Sequence, residues 1–230
     1  MLKDVGVAAL KDFIGFLKKE KDFFSLNEKD RQELFQKHFT EAYPVIFVTY
    51  FSKVTEDNFL KEIKQALAVF DRSAYADSKN EFINVLAYYI STDFSRQFDQ
   101  LNISFFFEAL PERLKVLENF FPGQSALHQA VRDFVVGSTY QEVGAMANEG
   151  LSYIKEVPSI VIQTPVELDS ELRLPIRSYI LEKYPFSFAE FQVNPQIIGG
   201  MRIFAGGKIM DHSWMGKIQA IANLNSVIVK

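Results

Sequence analysis

The hydrophobic period of this chain changes at Pro158. Before it, apolar residues recur at spacings of three and four. The clearest runs are Phe59, Leu60, Ile63, Leu67, Phe70; Phe82, Ile83, Leu86, Ile90; and Phe94, Phe98, Leu101, Phe105. Such spacing lays one apolar stripe along a helix. Further stripes are Val5, Ala9, Phe13, Phe16, Leu17; Phe35, Phe39, Ala42, Ile46; Leu110, Leu114, Leu117, Phe121; Leu127, Val131, Phe134, Val135; and Val143, Ala147, Leu151, Ile154, which makes seven or eight helices. After Pro158 the period falls to two. A striped helix and an alternating strand bury their apolar faces in different layer types, so the change predicts an α+β protein. It divides into an all-helical bundle over residues 1–157 and a small α/β domain over 158–230, ordered strand, helix, strand, strand, helix.

Local signals place the ends of these elements. Thr55 precedes an acidic first turn, Ser78 stands three residues before Glu81 as in a capping box, and Pro111 suits a first helical position. Pro44 interrupts its stripe and should kink or divide that helix near Tyr43. Breaks are expected at 73–77 and at Phe121-Pro122-Gly123. In the tail, β-branched residues 159–166 read as a strand that ends at Pro165 or lies on an edge. Asp169 caps a helix through Leu172, Ile176, Ile180 and Leu181, with Pro175 early inside it. Residues 186–193 form a second strand, Asn194-Pro195 a turn, and 201–205 a third strand. Gly206-Gly207 turns the chain back into 208–210. Ser213 caps a last helix with Met215, Ile218, Ile221 and Ala222 facing inward. No long-period repeat is visible.

Composition narrows the function. Apolar residues make up 48% and charged residues 23%, the balance of a globular chain. The net charge of −4 gives no basic field for nucleic acid. With no cysteine, disulfides, thiolate zinc sites and thiol nucleophiles are all excluded. The 23 phenylalanines against a single tryptophan predict a core of large flat rings. The first 24 residues mix acids with lysines at amphipathic spacing, unlike a signal or transit peptide. The longest stretch of low charge, 42–52, is shorter than the ~20 residues a membrane-spanning helix needs.

Candidate chemistry is sparse. Asp211-His212-Ser213 holds the residue types of a hydrolase triad, but triad members meet through the fold, and consecutive side chains at a helix start diverge. Helix-start roles for Asp211 and Ser213 fit better. His38 and His128 lack partners at metal-ligand spacing, so no metal site is expected. The pairs Gly199-Gly200 and Gly206-Gly207 match neither a P-loop nor a dinucleotide fingerprint and read as turn glycines. No catalytic residue, cofactor or small-molecule substrate is expected. Lys11, Lys18, Lys19 and Lys21 give the first helix a basic end, which suits a helix dipole or a membrane surface.

One stretch is more specific. In residues 191–218 a strand ends in a Val193-Asn194-Pro195 turn, Ile197-Ile198 precedes Gly199-Gly200, and Ile203 lies in a second strand. Gly206 and Gly207 turn the chain, and Asp211-x-Ser213 opens a helix containing Gly216. This order resembles the C-terminal signature of the F-type ATP synthase delta subunit, the oligomycin-sensitivity-conferring protein family. Asn194 stands where the family usually has Asp, and His212 where it often has Gly. The resemblance covers roughly the last third of the chain, while the helices counted before Pro158 exceed the family's six.

The resemblance implies a non-catalytic peripheral-stalk subunit that fixes the catalytic head against rotor torque. Its helical domain would receive N-terminal helices of the alpha subunits in apolar grooves, and its tail would meet the C-terminal end of the b subunit. It would be peripheral to the membrane through the complex, on the cytoplasmic face of a bacterial inner membrane or the matrix side of the mitochondrial one. Phe13, Phe16 and Leu17 on the first helix are the candidate partner anchors. The competing reading is a helical adaptor or scaffold unrelated to ATP synthase.

Overall fold

A computed structural model describes residues 1–39, 43–76 and 79–218. Among the described residues nine α-helices precede the tail: α1 (Leu2–Leu17), α2 (Glu28–His38), α3 (Val45–Lys53), α4 (Glu56–Phe70), α5 (Glu81–Tyr88), α6 (Ser95–Asp99), α7 (Leu110–Phe120), α8 (Ala126–Val136) and α9 (Tyr140–Leu151). A π-helical turn, Tyr89–Phe94, joins α5 to α6 in one rod, so eight rods form the described bundle. Their core is the expected aromatic one. Phe13 stacks on Phe51 at 3.9 Å and meets Phe59 edge-on at 5.1 Å, and both Phe13 and Phe16 are fully buried.

Several ends fall where the sequence placed them. Thr55 accepts from Asn58 N, Asp169 from Leu172 N, and Pro111 lies in the first turn of α7. Pro44 divides rather than kinks: α2 ends at His38 and Pro44 is the N-cap of α3. The cap of α5 is a correction. Asn80, not Ser78, accepts from Ile83 N, because the helix begins at Glu81. Ala42, Ser78, Ile221, Ala222 and the last residue of the expected break at 73–77 lie outside the described residues. The face of α4 also differs. Phe59, Ala66, Val69 and Phe70 are buried, whereas Leu60 and Leu67 are exposed because no described element covers that side.

The expectation of no long repeat is overturned. The bundle runs twice through one succession of helix, 3-10 turn carrying Phe-Phe, and three more helices: α1 to α4, then α5/α6 to α9. Arg31 donates to the carbonyls of Phe24, Leu26 and Val54, and Arg113 donates to those of Phe106, Glu108 and Val136, each partner 82 residues further on. Each guanidinium also lies over its Phe-Phe pair, Phe23-Phe24 or Phe105-Phe106. Asp12-Phe13 and Asp93-Phe94 correspond in the first rods, as do the caps Thr55 and Thr139. The halves interlock reciprocally: α1 packs on α8 and α9 of the second, and α5 packs on α3 and α4 of the first. Connections of unequal length shift the spacing between counterparts from 81 at the Asp-Phe pairs to 82 at the arginines and 84 at the threonine caps, which hides the repeat from a fixed-period reading.

The described residues of the tail form a four-stranded mixed sheet: β1 (Ile160–Thr164), β2 (Ala189–Val193), β3 (Arg202–Ala205) and β4 (Lys208–Asp211), in the order β2-β1-β3-β4. The helix α10 (Ser170–Lys183) crosses between the parallel pair β1 and β2, and β3 and β4 form a hairpin. β1 is thus central and stops before Pro165, so the chain takes the ending rather than the edge position. A final helix starts at 214. Met215 and Ile218 on it are exposed rather than inward. Packing joins tail to bundle: β2 lies against α9, α10 against α6, and one buried cluster runs from Leu2 to Ala205.

Candidate functional site

The signature residues of the tail converge on one structural junction. Val193 ends β2 half-exposed, and the next amide, Asn194 N, donates to Thr164 O at 2.7 Å. Asn194 Oδ1 accepts from Gln196 N and its amide nitrogen donates to Gln163, so the side chain shapes the turn through Pro195. Ile197 is buried and Ile198 exposed. At Gly200, φ is +76° and an added Cβ would lie 2.4 Å from His212 O. The loop therefore passes against the start of the last helix, tied by Trp214 N to Gly199 O at 3.2 Å and His212 N to Met201 O at 2.9 Å. Gly206-Gly207, both at positive φ, form the two-residue hairpin turn between Ala205 and Lys208.

Asp211 is the polar centre of this junction. Its Oδ1 accepts from Ser213 N at 2.9 Å and its Oδ2 from Arg202 Nη2 at 2.9 Å across the hairpin. Hydrogen bonds from Ser213, and then Arg202, hold its carboxyl down at about 2. Ser213 Oγ accepts from Gly216 N at 3.1 Å, and a Cβ on Gly216 would lie 2.8 Å from the Asp211 carboxylate. Asp211 and Ser213 are thus occupied in shaping the helix start. No group of three His, Cys, Asp or Glu side chains able to hold a metal occurs among the described residues.

A second cluster, which the sequence reading missed, lies between bundle and tail. Asp99 is fully buried and receives Arg177 Nε at 2.5 Å, Arg177 Nη2 at 3.1 Å and Tyr140 Oη at 3.0 Å. Arg177 Nη1 donates to Ala189 O, and the guanidinium lies 4.3 Å from the Phe188 ring centre. Arg173 stacks over Tyr140 at 4.5 Å and donates to the carbonyls of Asp99 and Leu101. Burial works against the charge of Arg177, but Asp99 more than offsets it, so its pKa rises. Burial, then the charge of Asp99, pushes the Tyr140 hydroxyl up. The buried stripe of α10 is therefore Arg173, Arg177 and Ile180; Leu172 is exposed, and Ile176 and Leu181 are only partly covered. A stripe of arginines gives no hydrophobic signal, although its spacing is helical.

The expected anchors on α1 are also corrected. Phe13 and Phe16 have no exposed surface, because their rings build the centre of the first half, and Leu17 is partly buried. The apolar side chains that α1 shows to solvent are Val7 and Ile14. Elsewhere α3 and α5 bound an apolar groove of about 340 Å³, with Ile46, Tyr50, Val85 and Tyr88 on its walls, Lys53 and Glu81 on its rim, and Phe186 across one end.

The described surface thus offers an apolar groove and exposed apolar faces, and the polar groups of the tail signature shape a helix start. The family model described as ATP synthase delta (OSCP) subunit matches residues 113–224, a little under half of the chain, and these residues are similar to that family. The match takes in the tail junction, α8, α9 and most of α7, and leaves the first half of the repeat outside. No curated protein matches the chain. The family is that of an ATP synthase subunit, and no described helix is long and apolar enough to cross a membrane.

Proposed function

We propose that this chain is a non-catalytic stator subunit of an F-type ATP synthase, joining the catalytic head to the peripheral stalk during proton-driven synthesis. The observation that carries the reading is the family match over 113–224, which includes the whole ordered junction from Val193 to Gly216. In this reading the bundle receives N-terminal helices of the alpha subunits, and the groove between α3 and α5 has the apolar lining that a helix-in-groove contact uses. The tail meets the C-terminal end of the b subunit. A stator must carry torque without yielding, and the buried Asp99–Arg177 pair between bundle and tail suits that task.

The protein would then sit peripherally on an energy-converting membrane, the cytoplasmic face of a bacterial inner membrane or the matrix side of the mitochondrial one. Division into units 1–157 and 158–230 is part of the proposal, as two architectures sharing one core. Purification of the tagged chain from its source tests it. Alpha, beta and b subunits should accompany it; their absence would favour an adaptor unrelated to ATP synthase.

A further inference from the structure

The two halves of the bundle share a plan but not a covering. In the second half, the face made by α6 and α9 holds the sheet unit. Asn148 bonds Ser159 and Ile160, Gly144 faces Glu190, and Asp99 and Tyr140 meet the arginines of α10. The corresponding face of the first half is made by α1 and α4. These helices run antiparallel side by side: Lys3 pairs with Asp71 at 3.2 Å, Gly6 lies against Phe70, and Phe13 meets Phe59.

On that face the counterparts of buried residues are exposed. Aligned on the caps Thr55 and Thr139, Leu60 corresponds to Gly144, Lys64 to Asn148 and Leu67 to Leu151; aligned on the Asp-Phe pairs, Ile14 corresponds to Ser95. The second-half residues are all buried, whereas Leu60 and Leu67 are 52% and 47% exposed, and Val7 and Ile14 each 45%. Lysines lie among these apolar side chains. Lys11, Lys18, Lys61 and Lys64 are exposed and form no ion pair among the described residues. Of the acids on these two helices, Asp4, Glu56, Asp57 and Asp71 stand towards the ends, the last paired with Lys3, while the mid-helix Asp12 and Glu62 turn to other elements, Asp12 accepting from Ala126 N and Leu127 N and Glu62 from Tyr50 Oη and Phe82 N.

We infer that the face formed by α1 and α4 is a docking surface for an amphipathic helix with acidic flanks. A second sheet unit in the tail's pose does not fit. Gly144 lets Glu190 approach so closely that an added Cβ would lie 3.3 Å from its Cγ, and the first half carries Leu60 there. A helix laid along the seam fits better. Val7 with Ile14, and Leu60 with Leu67, are spaced seven residues apart, the two-turn interval at which a docked helix repeats its anchors. The central lysines would attract and orient its carboxylates. An anionic membrane would attract the same lysines, so vesicles form a separate arm of the test.

The test uses the intact chain and a designed 18-residue helical peptide with leucines at heptad spacing, flanked by glutamates. Binding is followed by fluorescence anisotropy. The glutamate peptide should bind, weaken with salt, and lose at least about tenfold in affinity to the double variant Lys11→Glu/Lys64→Glu. A peptide with lysine flanks should prefer that variant. Ile14→Asp should also weaken binding, and all three positions are exposed, so melting checks that the fold is kept. Equal binding by wild type and the double variant, no binding at all, or binding to phosphatidylglycerol vesicles in place of the peptide would overturn the inference. Co-purification with the synthase is scored separately. If the chain accompanies the synthase but ignores the peptide, the stator reading stands and this inference falls; the reverse result leaves the docking face standing alone.

Discussion

Gly200 and Gly207 allow a controlled measurement of what holds the tail junction together. Both have positive φ, +76° and +79°, so alanine at either meets the left-handed penalty of roughly 1–2 kcal/mol. They differ in surroundings. A Cβ at Gly207 would have nothing within 4 Å, whereas at Gly200 it would lie 2.4 Å from His212 O and 3.1 Å from Ser213 Cα. These are backbone atoms, held by His212 N to Met201 O and by Trp214 N to Gly199 O, so relief requires the loop and the helix start to separate. Such overpacking costs about 1–3 kcal/mol more. Gly207→Ala is therefore expected to lose about 1–2 kcal/mol and Gly200→Ala about 2–5 kcal/mol. Urea unfolding followed by circular dichroism, with thermal melting as a second readout, gives the difference. At roughly 2–4 °C per kcal/mol for a chain of this size, Gly200→Ala should melt clearly below Gly207→Ala. Equal losses would refute the argument that the signature glycine serves close backbone approach.

Three further outcomes follow from the same geometry. Asp99→Asn should cost about 3–5 kcal/mol by leaving the Arg177 charge buried without its partner, and Asp99→Leu combined with Arg177→Met should recover most of that; a double variant no more stable than Asp99→Asn would contradict the pairing. Asp211, held at about 2, is depressed below its ordinary value, so its contribution is fully present above about pH 4 and is lost as pH falls through 2. Asp211→Asn should flatten stability against pH in that window, and parallel slopes for both proteins would count against the role given to its carboxylate. Trypsin should cut near Lys155, between the two proposed units, yet the fragments should elute together until denatured, because the buried cluster spans the cut; immediate separation would show that the shared core does not hold them.

The sequence made the architecture legible where burial and hydrophobicity agree. Phe82, Ile83 and Leu86, or Ile160 and Ile162, are apolar, periodic and buried, and their elements appear as expected. The junction from Val193 to Gly216 was readable because its turns need particular residue types. Other features were hidden for physical reasons. Leu60 and Leu67 look like core but face outward, since periodicity shows that a helix has an apolar side and not that anything covers it. Asp99, Arg173 and Arg177 look like surface and are buried, since a charge can be internal when its partner comes from 78 residues away. The repeat escaped because connections of unequal length change the offset along the chain while Arg31 and Arg113 keep the same bonding pattern.

Whether these surfaces serve an ATP synthase is decided by recovering the tagged chain from its source and identifying and counting its companions. Alpha, beta and b subunits should be retained with it through size exclusion, and the isolated chain should not hydrolyse ATP. A purified synthase lacking the chain, together with a chain that brings down none of those subunits, would contradict it.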